Sequence, residues 1–389
     1  MTDHEKLRVI AVGGAGAMGR HAVRTIKRLG SASVVAIADI DLTRADTLAR
    51  EIGDIAISVK LDATDPDAMR SVFGDYDVVL NTMGPFAMFA RPIMAAAIAS
   101  GCHYLDIGDD WQSTLEAFEL DATARERGLH VVIGLGSSPG VTNLLATVAA
   151  SRLEVVEQLH TGWKVSAAVA EEEPDYPVQG HASAALKHWL LQCSGTIKVW
   201  KDGALVDESP VAEVTLDFPG IGHVSAYTMG HPEPVSLARS YPQLRDSLNL
   251  QSGPAWLFAH LREVAAEYES GSITLAEGAR RLGDLPVPAD PGPRDRLPLE
   301  WALASGSRNG RRVSVAVYPR SVAPGRMGGN TGIPLGIGVE LLRRKRIKDV
   351  GVHAPESALV PEDFFEIFAT MVTEPCDAAE LLHIVESDM

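Results

Sequence analysis

Residues 7–20 read LRVIAVGGAGAMGR, and residues 21–29 continue as HAVRTIKRL. A short apolar strand runs into Gly14-x-Gly16-x-x-Gly19, and a helical pattern follows at once. That strand–turn–helix context is what the dinucleotide fingerprint requires. The first glycine permits the tight turn, the second lets backbone approach a pyrophosphate, and the third lets helix and strand pack closely. Gly14, Ala15, Gly16, Ala17, Met18 and Gly19 are therefore the candidate phosphate loop, whose N–H groups at a helix N-terminus would face the anion.

Working outward, the next strand, SVVAIADID at 33–41, ends at Asp39, twenty residues after Gly19. An acid at that place binds the adenosine ribose hydroxyls. Asp39 and Asp41 together would repel a 2′-phosphate, which favours NAD. Arg44, at the start of the following helix, could reach such a phosphate and keeps NADP possible. Further strand–helix units follow: IAISVKLD with DPDAMRSVF, DYDVVLNT with RPIMAAAIAS, CHYLDI with TLEAFELDATARERG, and HVVIGLG with GVTNLLATVAA. Strands alternating with helices imply an α/β fold, a Rossmann-type doubly wound parallel sheet. Ligands of such sheets bind outside the carboxyl ends of the strands. Gly84, Pro85, Phe86 and the acids Asp106 to Asp110 fall there. The turn GSSPG at 136–140 falls there too, either holding an anion or making a helix cap.

From about residue 151 the pattern changes to strand-like stretches, LHTGWKVSA, GTIKVWKDGALV, AEVTLDF and GRRVSVAVYP. Asp202-Gly203 between two of them suits a type I′ hairpin turn. The expected division is a nucleotide domain at 1–140, a mainly antiparallel α+β domain for substrate and dimerisation at 141–330, and C-terminal helices at 331–389 returning to the first domain. An open sheet edge tends to seek a partner, so a homo-oligomer, a homodimer in the simplest case, is expected.

Composition bounds the function. The 389 residues are 46% hydrophobic and 22% charged, with a formal charge of −16. That charge argues against nucleic acid and anionic membranes as partners; a small-molecule substrate is expected as the partner. No apolar run approaches the roughly 18 residues of a membrane span, and the polar opening MTDHEKLRVI does not read as a signal peptide, so a cytoplasmic protein is expected. Cys102, Cys193 and Cys376 lie far apart, suggesting neither a metal knuckle nor a disulfide framework.

Several separated stretches together resemble the saccharopine dehydrogenase family, in its group of lysine and carboxynorspermidine dehydrogenases. They are GGAGAMGR, DVVLNTMGPF with AIASGCHYLDIGDD, GLGSSPGVTNLLA, TMGHPEPVSLARSYP, and MGGNTGIPLGIGVELLRRKRIKDVGVHAPE. The resemblance implies an NAD(P)-dependent oxidoreductase that moves hydride at a carbon bearing an amine or imine. It also implies that Gly84-Pro85-Phe86 lies beside the nicotinamide ribose and that the Glu233 segment lies on the substrate side.

Asp106 could then pair with a substrate ammonium, with Asp109 as its neighbour; for Asp109 and Asp110 a helix cap is the plainer role. Tyr104 is expected to pack, as alternate residues of a buried strand do. Glu233, between two prolines, is expected in a rigid turn. Arg239 could take a carboxylate or make a surface ion pair. His181 and His188 share a helix face; either could be a general acid–base, or both could be structural. The triplet Lys187-His188-Trp189 departs from the acidic–aromatic pair of lysine dehydrogenases and puts lysine itself in doubt. The acids Glu171 to Glu173 favour a cationic ligand or simply form a charged loop. Two other readings remain: an enzyme that binds and recycles NAD without net redox, such as a cyclodeaminase or lyase, and a non-catalytic NAD(P) sensor.

Overall fold

The computed structural model describes residues 5–168, 184–285, 288–290, 292 and 295–389. Two compact units share the chain: Met1–Leu144 with Arg320–Leu382, and Leu145–Pro319 with His383–Met389.

The first unit opens with β1 (Leu7–Val12), α1 (Gly19–Leu29), β2 (Ala32–Asp39), α2 (Leu42–Ile52), β3 (Ala56–Lys60), α3 (Pro66–Phe73) and β4 (Val78–Asn81). It continues with α4 (Phe86–Ala99), β5 (His103–Asp106), α5 (Trp111–Phe118), α6 (Asp121–Glu126), β6 (His130–Val132) and α7 (Val141–Ala150), which crosses into the second unit. β1 and β4 read as near-continuous apolar runs because a parallel sheet is covered on both faces; Val9 to Val12 and Val78 to Leu80 are buried. β4 and β2 flank β1 in parallel, the pairing that places a switch point between β1 and β4.

The second unit comprises β7 (Val155–Lys164), α8 (Ala184–Gln192), β8 (Ile197–Lys201), β9 (Ala204–Glu208), β10 (Glu213–Phe218) and β11 (Gly222–Thr228). After them come α9 (Glu233–Ser240), β12 (Asn249–Ser252), α10 (Ala255–Glu269), α11 (Leu275–Gly283), β13 (Glu300–Arg308) and β14 (Arg311–Pro319). The β8–β9 hairpin turns at Asp202 and Gly203, both with positive φ (50° and 78°), as a type I′ turn demands.

The chain then returns to the first unit as α12 (Arg326–Arg343), β15 (Gly351–His353), α13 (Pro355–Ala358), α14 (Pro361–Phe368) and α15 (Ala378–Leu381). It ends on β16 (Leu382–Asp388). The first sheet has the order β15-β6-β5-β4-β1-β2-β3, and its pairings are parallel. The second runs β10-β11-β12-β7-β13-β14-β16; it is antiparallel at β10–β11, β11–β12, β7–β13 and β13–β14 and parallel at β12–β7. The fold is therefore a Rossmann-type sheet plus a second, mainly antiparallel sheet domain.

The end of the chain departs from the helical expectation. LHIVESD at 382–388 is a strand, and it forms the edge of the second sheet. Arg308 on β13 holds it through a two-bond ion pair with Glu386. α12 lies close along α1, and Gly332 makes that possible: a Cβ there would sit 2.2 Å from the Met18 carbonyl oxygen.

Candidate functional site

The carboxyl edge of the first sheet is built around the glycine turn. Gly13 leaves β1 with φ +70° and donates its N–H to the Ala38 carbonyl at 2.8 Å. Gly16 donates back to the Gly13 carbonyl at 2.9 Å. A Cβ on Gly19 would stand 2.6 Å from the Gly13 oxygen, so helix and turn can meet only through glycine. Thr82, just past β4, donates its hydroxyl to the Val12 and Gly13 carbonyls at 3.1 and 3.0 Å, fastening the turn to the neighbouring strand. Gly13 and Thr82 were not singled out in the sequence, although the doubled glycine of VGGAG was the available signal.

Two helix N-termini at this edge differ in what they leave open. No side chain caps α1, and Gly16, Ala17 and Met18 remain partly accessible. The start of α7 is already satisfied by its own chain. Gly140 N–H donates to Asn143 Oδ1, Val141 N–H to the Gly136 carbonyl, and Thr142 N–H to the Ser137 carbonyl. Asn143 is held in turn by buried Glu356 at 2.8 Å. Of the two readings of GSSPG, the cap is the one the hydrogen bonds support. The loop at α1, with its close backbone and uncapped terminus, fits a pyrophosphate.

On the adenosine side, Asp39 ends β2 half-buried and accepts the Asp41 N–H at 3.0 Å. Asp41 is the N-cap of α2, accepting from Thr43 and Arg44 N–H. Arg44 reaches back over the glycine loop, its Nη2 donating to the Ala15 carbonyl at 3.2 Å. Lys60, exposed at the end of β3, is the cross-strand neighbour of Asp39.

At the mouth, Gly84 and Pro85 are exposed while Phe86, the first residue of α4, is buried against the Gly108 turn. Asp106 is 2% exposed. Its Oδ1 accepts from Gly134 N–H at 2.7 Å and Gly108 N–H at 3.0 Å, and its Oδ2 accepts from the Tyr104 hydroxyl at 2.9 Å. Asn81 donates to the same hydroxyl at 2.9 Å. Tyr104 thus packs, as expected, and also carries a buried hydrogen bond. Burial pushes the Asp106 carboxyl up to about 6, against the pull of the Gly134 and Gly108 N–H groups and the Tyr104 hydroxyl. The free space bordering it is a cavity of about 10 Å³, also lined by Gly108, Ser113 and Ile133. That is close to the lower limit for one water, on the order of 10–15 Å³. Asp110 caps α5 by accepting from Gln112 and Ser113 N–H, whereas Asp109 remains partly exposed beside it.

In the second unit a separate polar cluster is buried. Glu233 is fully buried and opens α9, with Pro234 in the first turn, so GHPEPV is a helix start and not the rigid turn expected. Asn249 Nδ2 donates to Glu233 Oε1 at 2.8 Å and also lies 3.0 Å from Thr161 Oγ1. His231 Nδ1 stands 3.4 Å from Glu233 Oε2, and its ring stacks on Trp163 at 6.1 Å between centroids. Trp189 donates its indole N–H to Gln251 Oε1 at 2.7 Å. His188 sits half-buried on α8, and Arg239 is exposed in the last turn of α9, at the far end from Glu233. His181 and Glu171 to Glu173 lie outside the described residues. His231, Asn249 and Trp163 were not foreseen; only the spacing His231-x-Glu233 hinted at a pair.

A doubly wound parallel sheet with an open glycine turn at its switch point is a dinucleotide-binding domain. Residues 9–132 match the saccharopine dehydrogenase NADP binding domain. Its cofactor class is NAD(P). An Arabidopsis thaliana protein described as "Probable mitochondrial saccharopine dehydrogenase-like oxidoreductase" is 35% identical over 88 residues. The match covers 22% of this chain and 19% of that protein. The Saccharomyces cerevisiae saccharopine dehydrogenase [NADP(+), L-glutamate-forming] is 27% identical over 179 residues, 44% of this chain and 37% of the yeast protein. The matched stretches thus span well under half the length of either relative. The solved apo saccharopine dehydrogenase (L-Glu forming) from Saccharomyces cerevisiae superposes with a TM-score of 0.61 at 15% identity, over 98% of this chain and 100% of that one. That likeness concerns the fold. Among the described residues, no helix is long and apolar enough to cross a membrane.

Proposed function

We propose that the protein is an NAD(P)-dependent oxidoreductase acting on a small molecule at a carbon bearing an amine or imine. The observation that carries this reading is the uncapped α1 terminus behind the Gly13–Gly19 turn, within the stretch that matches the saccharopine dehydrogenase NADP binding domain. Bound NAD(P) would supply or accept the hydride. The chain's own tasks are to hold the dinucleotide, orient the reacting carbon and move one proton.

Gly14 to Gly19 take the pyrophosphate through backbone N–H groups, and Asp39 takes the adenosine ribose. Gly84, Pro85 and Phe86 line the nicotinamide side. Asp106 works by position: with its oxygens occupied by three donors, it fixes the turns at Gly108 and Gly134 and leaves partly exposed Asp109 to meet a cationic group. In the second unit the ionisable pair Glu233–His231 is assigned the proton, because a buried carboxylate against an imidazole is the arrangement acid–base transfer uses. His181, His188 and Arg239 stand as weaker candidates for substrate contact.

The test is a titration with NADH and NADPH followed by intrinsic fluorescence. Turnover of amines, amino acids and 2-oxo acids is then monitored through nicotinamide absorbance. Binding with turnover of an amine supports the proposal. Binding without net redox, but with product formed, replaces it with a self-recycling enzyme. No binding of either cofactor overturns the site.

A further inference from the structure

Asp39 ends β2 where an acid ordinarily signals NAD, yet its surroundings are not those of an NAD-only site. The second acid of that stretch, Asp41, is turned into the cap of α2, where two backbone N–H groups and the helix terminus engage its charge. Two cations flank Asp39. Arg44 lies over the glycine loop, bonded to the Ala15 carbonyl, on the adenosine side of the turn. Lys60 stands beside Asp39 in register on β3, at the same carboxyl edge. Among the described residues neither makes an ion pair, while partly exposed cations of neighbouring α1 do, Arg24 with Glu51 and Lys27 with Asp54. An exposed guanidinium held over a phosphate loop by a single neutral carbonyl can turn to a stronger acceptor at little cost.

We propose that Arg44 and Lys60 form a 2′-phosphate subsite around Asp39, so that the protein reads NADP(H) through the pair and NAD(H) through the acid. This rests on the proposed nucleotide site and adds its selectivity. Arg44 offers the planar fork that suits a phosphate monoester, and Lys60 adds a point charge beside Asp39. Asp39 works against them, since its carboxylate repels the 2′-phosphate while bonding the ribose hydroxyls. The three residues therefore have effects of different sign on the two cofactors, which a merely structural role would not produce.

The experiment is equilibrium titration of the full chain and of Arg44→Ala, Lys60→Ala, the double variant and Asp39→Asn with NADPH and NADH, each at low and high salt. All three positions are partly or fully exposed, so the variants are expected to fold, and circular dichroism checks this. The expected result is roughly tenfold or greater loss of NADPH affinity in Arg44→Ala, with NADH changed less than about threefold. Lys60→Ala should show a smaller loss of the same kind, and Asp39→Asn should weaken NADH while tightening NADPH. NADPH binding should fall more steeply with salt than NADH binding, and the double variant should erase that difference. Equal losses for both cofactors in the double variant, or no loss in either, would overturn the subsite while leaving the nucleotide site standing. Failure of the wild-type chain to bind either cofactor would instead count against the proposed function itself.

Discussion

Two buried carboxylates, one in each unit, are kept in different company. Asp106 is held by two backbone N–H groups in the turns that follow β5 and β6 and by the phenol of Tyr104 on β5. Glu233 is held by side chains, with Asn249 on one oxygen and His231 facing the other. An acid gripped by backbone can change only if the sheet edge loosens with it. One gripped by side chains can exchange partners or a proton while the strands stay in place. The contrast separates an acid fixed mainly by backbone from one whose partners are side chains.

The sharpest way to break that contrast is to remove the first acid. Asp106→Ala leaves Gly134 N–H, Gly108 N–H and the Tyr104 hydroxyl without their acceptor, each worth about 1–3 kcal/mol when buried. Denaturant unfolding should show a loss of at least about 3 kcal/mol; a loss below about 1 kcal/mol would mean that the turns hold without it.

The next test is pH. The folded Asp106 value of about 6 lies above its unfolded value of 3.8, so the stability it contributes is present below 3.8 and lost as pH rises through 6. His160, buried in the second unit, is pushed down to about 4 from 6.5, so its contribution is present above 6.5 and lost as pH falls through 4. Each effect amounts to about 3 kcal/mol at full extent. In the first unit His103, lowered to about 4 by burial and by His130, opposes Asp106 across the same window. The second unit should therefore soften first on acidification. His160→Asn should flatten its unfolding profile between pH 4 and 6.5, and a wild-type profile already flat there would remove the argument.

Glu233→Gln keeps the shape and the Asn249 bond, so its stability cost should stay near about 1 kcal/mol. If Glu233 carries the proton as proposed, turnover should nevertheless drop by roughly a hundredfold or more, with an altered pH profile. Unchanged turnover would return Glu233 to a purely architectural role. The smallest effect belongs to the half-exposed pair Arg308–Glu386: Arg308→Ala should cost less than about 1 kcal/mol, read as a slight drop in Tm.

The first sheet was legible because its signals are local. Glycine turn, helix start and strand-end acid each lie within a few residues of the structure they specify, and the hairpin at Asp202-Gly203 was legible for the same reason. The second cluster was not, since Thr161, His231, Glu233 and Asn249 come from three elements, and Asn249 is 88 positions from the threonine it faces. Nothing in GHPEPV separates a proline-flanked turn from a helix whose first turn carries a proline. The closing strand was missed because LHIVESD does not alternate and only its Ile-Val pair favours a strand, too little to outweigh the helical stretch before it.

The path of the chain has a consequence for how the protein is made. β15, an edge strand of the first sheet, and α12, which covers α1, are translated only after the whole of β7 to β14. A nascent chain therefore carries an incomplete nucleotide domain while β7 to β14 are made, with the α1 face and the β6 edge still open. The second sheet in turn waits for β16, which follows β15. Neither unit can close early on the ribosome, so the long interval before closure is when chaperones would find most to hold.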